Sequence, residues 1–226
     1  MKKKIKVLFL MVFLALGAYG QKIKFQNQEF ELVNVTGSVN QFQGETVLKI
    51  ERDLKALPFD PQNLEKTVDN PHYAKLTDVE FENGTIEVKV YSQIQNPSPF
   101  ESAQGFIGLA FRIAPNDTAF ESIYLRPRVG RSENQLARNH AVQYFAYPDS
   151  KFDTLRKIAP GMYETSAPVN INEWITMRIE VAGERAELFI NDAKYSTMIV
   201  SKMRGSSKRG AIGLWVDIGT IGYFKD

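Results

Sequence analysis

The chain has 226 residues, with 28 Lys and Arg against 26 Asp and Glu, 43% hydrophobic residues and no cysteine. Lack of cysteine excludes thiolate catalysis, thiolate zinc sites and iron–sulfur clusters, and leaves stability to a hydrophobic core. Residues 1–20 hold four lysines and no acid, so the rest carries 28 − 4 = 24 bases against 26 acids, and a net of −2 gives no electrostatic case for nucleic acid as a partner.

Those first residues have the order of a secretory signal peptide. Lys2, Lys3, Lys4 and Lys6 precede an apolar run over 7–16, and Ala18-Tyr19-Gly20 supplies a small-x-small cleavage site before Gln21. The run is shorter than the roughly 20 residues that span a bilayer. No cysteine follows it to carry a lipid. The expectation is a secreted or periplasmic protein with no stable membrane anchor once the leader is removed. Residues 21–226 are then long enough for one domain with its own core.

Beyond the leader the sequence reads as strands. Val47–Ile50 is a short apolar strand. Residues 79–82 alternate, Asn83-Gly84 supplies a tight turn, and 85–91 alternate again with Ile86, Val88 and Val90 inward. The stretch 54–75, with three prolines, reads as a long loop with room for one helical turn. Residues 105–113 place Ile107, Leu109, Phe111 and Ile113 on one face and Arg112 on the other. A strand over 122–129 is the most distinctive. Ile123, Leu125, Pro127 and Val129 alternate with Tyr124, Arg126 and Arg128, which would stand in a row about 7 Å apart. Strands over 141–146, 174–181, 186–190, 194–200, 210–216 and 220–224 complete the pattern, with turns at Gly183-Glu184 and Asn191-Asp192. No segment of ten or more residues beyond the leader has a helical period. The architecture expected is all-β, a two-sheet antiparallel sandwich.

Four segments carry a family resemblance: Phe81-Glu82-Asn83-Gly84-Thr85-Ile86-Glu87-Val88, Gly105-Phe106-Ile107-Gly108-Leu109-Ala110-Phe111-Arg112, Tyr124-Leu125-Arg126-Pro127, and the stretch from Glu173-Trp174 through Asn191-Asp192 to Gly213-Leu214-Trp215. From about Val33 to Asp226 the chain resembles the concanavalin A-like lectin/glucanase superfamily. Within it, the chain is similar to laminin-G-like and 3-keto-disaccharide-hydrolase-like domains of secreted bacterial proteins. The resemblance implies a jelly-roll sandwich with one curved sheet whose concave face binds saccharides. Fold does not fix function.

In such a sandwich the non-core faces of neighbouring strands share a surface. Arg112, Tyr124, Arg126 and Arg128 fall on such faces. If Val142 and Tyr144 face the core, Asn139, Gln143 and Phe145 join the arginines; the reverse register exposes His140, Val142 and Tyr144. The candidate ligand-binding set is Arg112, Tyr124, Arg126, Arg128, Asn139, His140, Gln143 and Tyr144. Guanidinium and amide groups would bind the hydroxyls or carboxylate of a saccharide or other polyhydroxylated ligand, while an aromatic ring stacks on it. Cross-strand pairing of the arginines with Glu121, Glu133 or Asp149 is the structural alternative.

Catalysis would need paired carboxylates. The superfamily's glucanases show Glu-x-Asp-x-x-Glu. Here Glu51-Arg52-Asp53 is the one Glu-x-Asp, and Ala56 stands in the last place. That departure favours a carbohydrate-binding protein. The alternatives are a glycoside-hydrolase-like enzyme acting on a (3-keto) disaccharide and an envelope protein that binds another protein. His140 is the candidate for chemistry; His72, after Pro71 in a loop, is expected at the surface. No histidine spacing supports a metal site. Calcium, as in many lectin-like sandwiches, would fall to Asn116-Asp117 or Asp149. Trp174 and Trp215 are expected in the core or at a sheet edge, with the concave face open to Trp215.

Overall fold

The structure, a computed structural model, describes residues 20–226. Apart from Gly20, the signal-peptide expectation lies outside the described residues. In chain order these residues form β1 (Lys22–Phe25), β2 (Gln28–Val33), β3 (Val35–Phe42), β4 (Glu45–Arg52), helix α1 (Leu64–Thr67), β5 (Tyr73–Phe81) and β6 (Gly84–Ile94). There follow β7 (Ile107–Ile113), β8 (Phe120–Leu125), a 3-10 turn (Pro127–Val129), α2 (Gln135–Arg138), β9 (Val142–Tyr147), α3 (Phe152–Ile158) and β10 (Glu164–Thr165). The chain ends in β11 (Trp174–Ala182), β12 (Arg185–Ile190), β13 (Met198–Val200), β14 (Gly210–Val216) and β15 (Thr220–Lys225).

Two antiparallel sheets pack as a jelly-roll-like sandwich. One has the order β1-β2-β5-β14-β7-β8-β9-β10, the other β13-β12-β11-β6-β15-β4-β3. The alternation read from the sequence sets the facing. Ile107, Leu109, Ile123, Leu125, Leu214 and Val216 point from the first sheet into the shared core, where Leu48, Val88, Val90 and Met177 meet them. The sheets approach so closely that a side chain at Gly222 would lie 2.5 Å from Val216 Cγ1. That leaves only glycine room there.

The strand expected over 122–129 stops at Leu125. Pro127 is the reason. It has no N–H for the ladder and its fixed φ suits the first position of a helical turn, which it opens here. Only Arg126 continues the pairing, donating its N–H to Ala141 O at 2.7 Å. Beyond it the alternation between the two faces is lost.

The outer face of the eight-stranded sheet is not an open groove. Tyr73, Trp215, Gly108, Tyr124 and Gln143 are successive register partners across β5, β14, β7, β8 and β9. All five residues are buried, and the long loop between β4 and β5, the segment before β7, and α3 bring Asp69, Phe106 and Phe152 over Tyr124 and Trp215. Trp215 Nε1 donates to Asn70 O at 3.1 Å. The ring of Phe106 packs on Tyr124 at 6.2 Å.

One buried ion pair pins this roof. Arg52, at the end of β4, meets Asp217, just past β14, at 2.8 Å. The same guanidinium donates to the carbonyls of Thr67, Leu57 and Pro58 in the long loop.

Candidate functional site

A cleft of about 300 Å3 remains between the roof and the sheet. Tyr124 and Trp215 form its floor, their rings 4.8 Å apart. Phe100, Phe106 and Phe152 line its walls, and Asp69, Arg126 and His140 bring polar groups to it.

The register explains how Tyr124 reaches this floor. Its partner on β7 is Gly108, where an added Cβ would lie 2.5 Å from Tyr124 Cα and 2.4 Å from Ile123 O. Glycine is required by that close approach of the two backbones. Tyr124 then presents its hydroxyl to Arg126, whose Nη2 donates to it at 2.6 Å. Arg126 Nη1 donates to His140 O at 3.2 Å. The guanidinium carbon lies 5.1 Å from the centroid of the Tyr124 ring and 5.5 Å from that of Phe152.

Asp69 comes from the roof. Its backbone is left-handed, with φ of 52°, and its N–H donates to Asp217 Oδ2 at 3.1 Å. The Phe152 N–H at the start of α3 donates to its carboxylate at 2.9 Å. Burial pushes this carboxyl up to about 7; the charge of Asp217 adds to that, and the Phe152 hydrogen bond, Arg126 and Lys151 oppose it. Asp217 itself accepts from Arg52, the Asp69 N–H and the Ile218 N–H, so its role is architectural.

His140, about a quarter exposed at the cleft wall, has Nδ1 2.7 Å from Glu164 Oε2, off the line of a straight hydrogen bond. Arg156 Nε donates to the same oxygen at 2.9 Å.

Of the eight residues singled out from sequence, Tyr124, Arg126 and His140 line this cleft. The other five lie elsewhere. Arg112 sits at the far end of β7 with φ of 53° and donates to the carbonyls of Glu82 and Gly183. Arg128, carried away by the 3-10 turn, is exposed and donates to Ala103 O. Asn139 is exposed and accepts from Gln135. Gln143 does share the Tyr124 face, the first of the two registers considered, but it is wholly buried and donates to Tyr144 O and Tyr163 O. Tyr144 points into the sandwich, where its hydroxyl and the Gly205 N–H both serve the buried Glu121 carboxylate. The face that Arg126 and Arg128 were expected to share with Arg112 is therefore replaced by three separate environments.

Asp69 and His72 are the residues that sequence reading missed or misplaced. His72 is wholly buried, not at the surface; it lies 3.7 Å from Asp217, and burial pulls its pKa down to about 4. An Asp-Asn-Pro-His run in a loop reads as turn chemistry, and nothing local shows that the loop folds back over a sheet. Trp215 is at the cleft floor. Trp174 belongs to a half-buried aromatic patch on the outer face of the other sheet, with Phe42, Tyr91 and Tyr223. Asp117, one of the calcium candidates, instead accepts from Lys75 and Tyr73. Among the described residues no group of three His, Asp or Glu side chains is disposed to hold a metal ion.

The two-sheet, jelly-roll-like sandwich is a fold shared with solved structures of distant sequence. The carbohydrate-binding module CBM66 from Bacillus subtilis matches it with a TM-score of 0.50 at 12% identity, over 86% of this chain and 94% of that one. Galectin LEC-6 of Caenorhabditis elegans matches at 0.38 and 14% identity, over 70% and 94% of the two chains. A candidate glycosyl hydrolase of Parabacteroides distasonis matches at 0.43 and 13%, over 87% and 85%. No protein-family model matches the chain, and no curated protein matches it in sequence.

Proposed function

We propose that this is a secreted or periplasmic carbohydrate-binding protein that takes a saccharide into the Tyr124–Arg126 cleft. The observation that carries the reading is the composition of that cleft: an aromatic floor with a fixed guanidinium and a carboxyl group at its edge. Aromatic rings suit the C–H face of a sugar, and rigid donors and acceptors suit its hydroxyls. The shared fold with a carbohydrate-binding module agrees with this. Neither a metal nor nucleic acid enters the proposal, and no helix among the described residues is long and apolar enough to cross a membrane.

A second reading, a hydrolase acting on ordinary or 3-keto disaccharides, is favoured by one observation. A buried carboxyl held near 7 in a cleft is a group able to hold and give a proton at neutral pH. A glycan array combined with hydrolysis assays on both disaccharide types separates the two. Saturable binding without turnover supports the binding protein. Turnover that disappears in Asp69→Asn or His140→Ala supports the hydrolase. A wild-type protein that binds no glycan and cleaves none contradicts both.

A further inference from the structure

Arg126 is 7% exposed, and no Asp or Glu oxygen of the described residues lies within 4.0 Å of its guanidinium nitrogens. The other cations in and around the cleft are all accounted for. Arg52 is paired with Asp217 and Arg156 with Glu164, while Lys151 is caged by Glu65 O, Val68 O and Asn70 Oδ1. Arg126 gives hydrogen bonds only to a phenol and a carbonyl. Of a guanidinium's five N–H donors those contacts use two, leaving three. A buried cation without a counter-ion is costly, and the cost is tolerated where something else supplies the charge.

From this we infer that the ligand of the cleft is an acidic saccharide, a terminal uronic acid whose carboxylate docks on the Arg126 guanidinium while its ring lies on Tyr124 and Trp215. The inference rests on the saccharide reading of the cleft and names its ligand class. The planar fork of arginine matches a carboxylate in two parallel hydrogen bonds. Because hydrogen bonds to the Tyr124 hydroxyl and His140 O and the nearby rings of Tyr124 and Phe152 fix the guanidinium, little side-chain freedom remains to be lost on binding. The cleft is at the small end of ligand sites, which run from roughly 300 to 1,000 Å3, and so suits one terminal sugar better than a chain lying across it.

Asp69 fits the same ligand. The groups around it are Arg126 on the sheet side, Asp217 beneath, and Lys151 and the Phe152 N–H from the start of α3. His140, Arg156 and Glu164 form a separate cluster at the wall. When protonated, Asp69 donates to an incoming carboxylate; when ionised, it repels it. Acidic ligands should therefore bind with uptake of a proton, and neutral ones without.

The test is calorimetric titration of the purified protein with glucuronic and galacturonic acids, glucose and galactose, and sodium acetate, at pH 6, 7 and 8. The acids are expected to bind at least tenfold tighter than the neutral sugars at pH 6. Their affinity should fall by up to tenfold from pH 7 to 8, since each pH unit above a coupled group's pKa costs one proton's worth of binding. Arg126→Gln should abolish the preference for acids. Asp69→Asn should give acid affinities that no longer change with pH, a readout that does not depend on Arg126→Gln folding. Equal affinity for acids and neutral sugars would overturn the acidic-ligand inference while leaving the saccharide site standing. Acetate binding as tightly as the sugar acids, or no binding by any sugar, would overturn both.

Discussion

Arg112 and Arg126 occupy similar places in the sequence pattern, each on the polar phase of an apolar strand, and the fold uses them in opposite ways. Arg112 is 1% exposed and clasps the turn between β5 and β6 to the turn between β11 and β12 through carbonyl oxygens. Arg126 is nearly as buried, yet it faces a cavity and keeps donors free. Burial of an arginine therefore does not distinguish a structural role from a recognition role. What separates them is what the remaining N–H groups face: Arg112 Nη1 is buried without a partner, whereas the free donors of Arg126 lie beside the cleft.

The largest expected effect concerns the roof that makes Arg126 a cleft residue. Arg52→Ala leaves Asp217 buried without its partner and releases three loop carbonyls. A loss of about 3–5 kcal/mol in denaturant unfolding is expected, together with loss of ligand binding. Arg112→Ala should cost about 3 kcal/mol by the same measurement, since hydrogen bonds to a charged group are worth roughly 1.5–3 kcal/mol each. The protein that remains folded should bind ligand as before. If Arg112→Ala instead abolished binding in folded protein, the contrast between the two arginines would break.

Gly108→Ala pushes a methyl group against Tyr124. It should cost about 1–3 kcal/mol through overpacking and weaken binding by displacing the floor. Its thermal midpoint and ligand affinity should fall together, whereas Arg112→Ala moves only the first.

Next come two buried titratable groups of the roof, Asp69 and His72, which act with opposite sign. Asp69 is raised from 3.8 to about 7, so between those values the folded state holds the extra proton and stability falls as pH rises. His72 is lowered from 6.5 to about 4, so in that window the unfolded state holds the extra proton and stability rises with pH. The two slopes offset each other over about pH 4–6.5. Asp69→Asn removes one of them, and asparagine keeps both the left-handed backbone and the acceptor for the Phe152 N–H. Its stability relative to the wild type should grow by roughly 1 kcal/mol per pH unit up to about pH 7. Unfolding midpoints measured from pH 4 to 8 check this, and parallel curves for the two proteins would contradict it. Arg128→Ala, at an exposed site, should stay within about 0.5 kcal/mol of the wild type.

Much of the fold was legible in the sequence. Period-two alternation located β6, β7, β11, β12, β14 and β15, because each has one face in a shared core and little else competes to set its register. β1 and β2 were overlooked although Gln26 and Asn27, both at positive φ, form the turn of a regular hairpin. The signal was there in Lys22-Ile-Lys-Phe and Phe-Glu-Leu-Val, flanked by polar residues. α3 left only a weak trace, with Leu155 alone fully buried.

The cleft was only half legible. Tyr124, Arg126 and His140 stood out as an aromatic and basic cluster. Asp69 and Trp215 join them only because the Arg52–Asp217 pair, 165 residues apart in sequence, folds a loop over the sheet. That pairing leaves no local periodicity. Pro127 is the local signal for the end of β8, since a proline at that point in an interior strand argues for the strand's end.

Amide chemical-shift mapping during titration with a mixture of mono- and disaccharides, acidic and neutral, tests the site most directly. Shifts are expected at Asp69, Tyr124, Arg126, His140 and Trp215, with none at Arg112 or at the Trp174 patch on the other sheet. Shifts centred on Trp174 and Tyr91, with the cleft unmoved, would contradict the account.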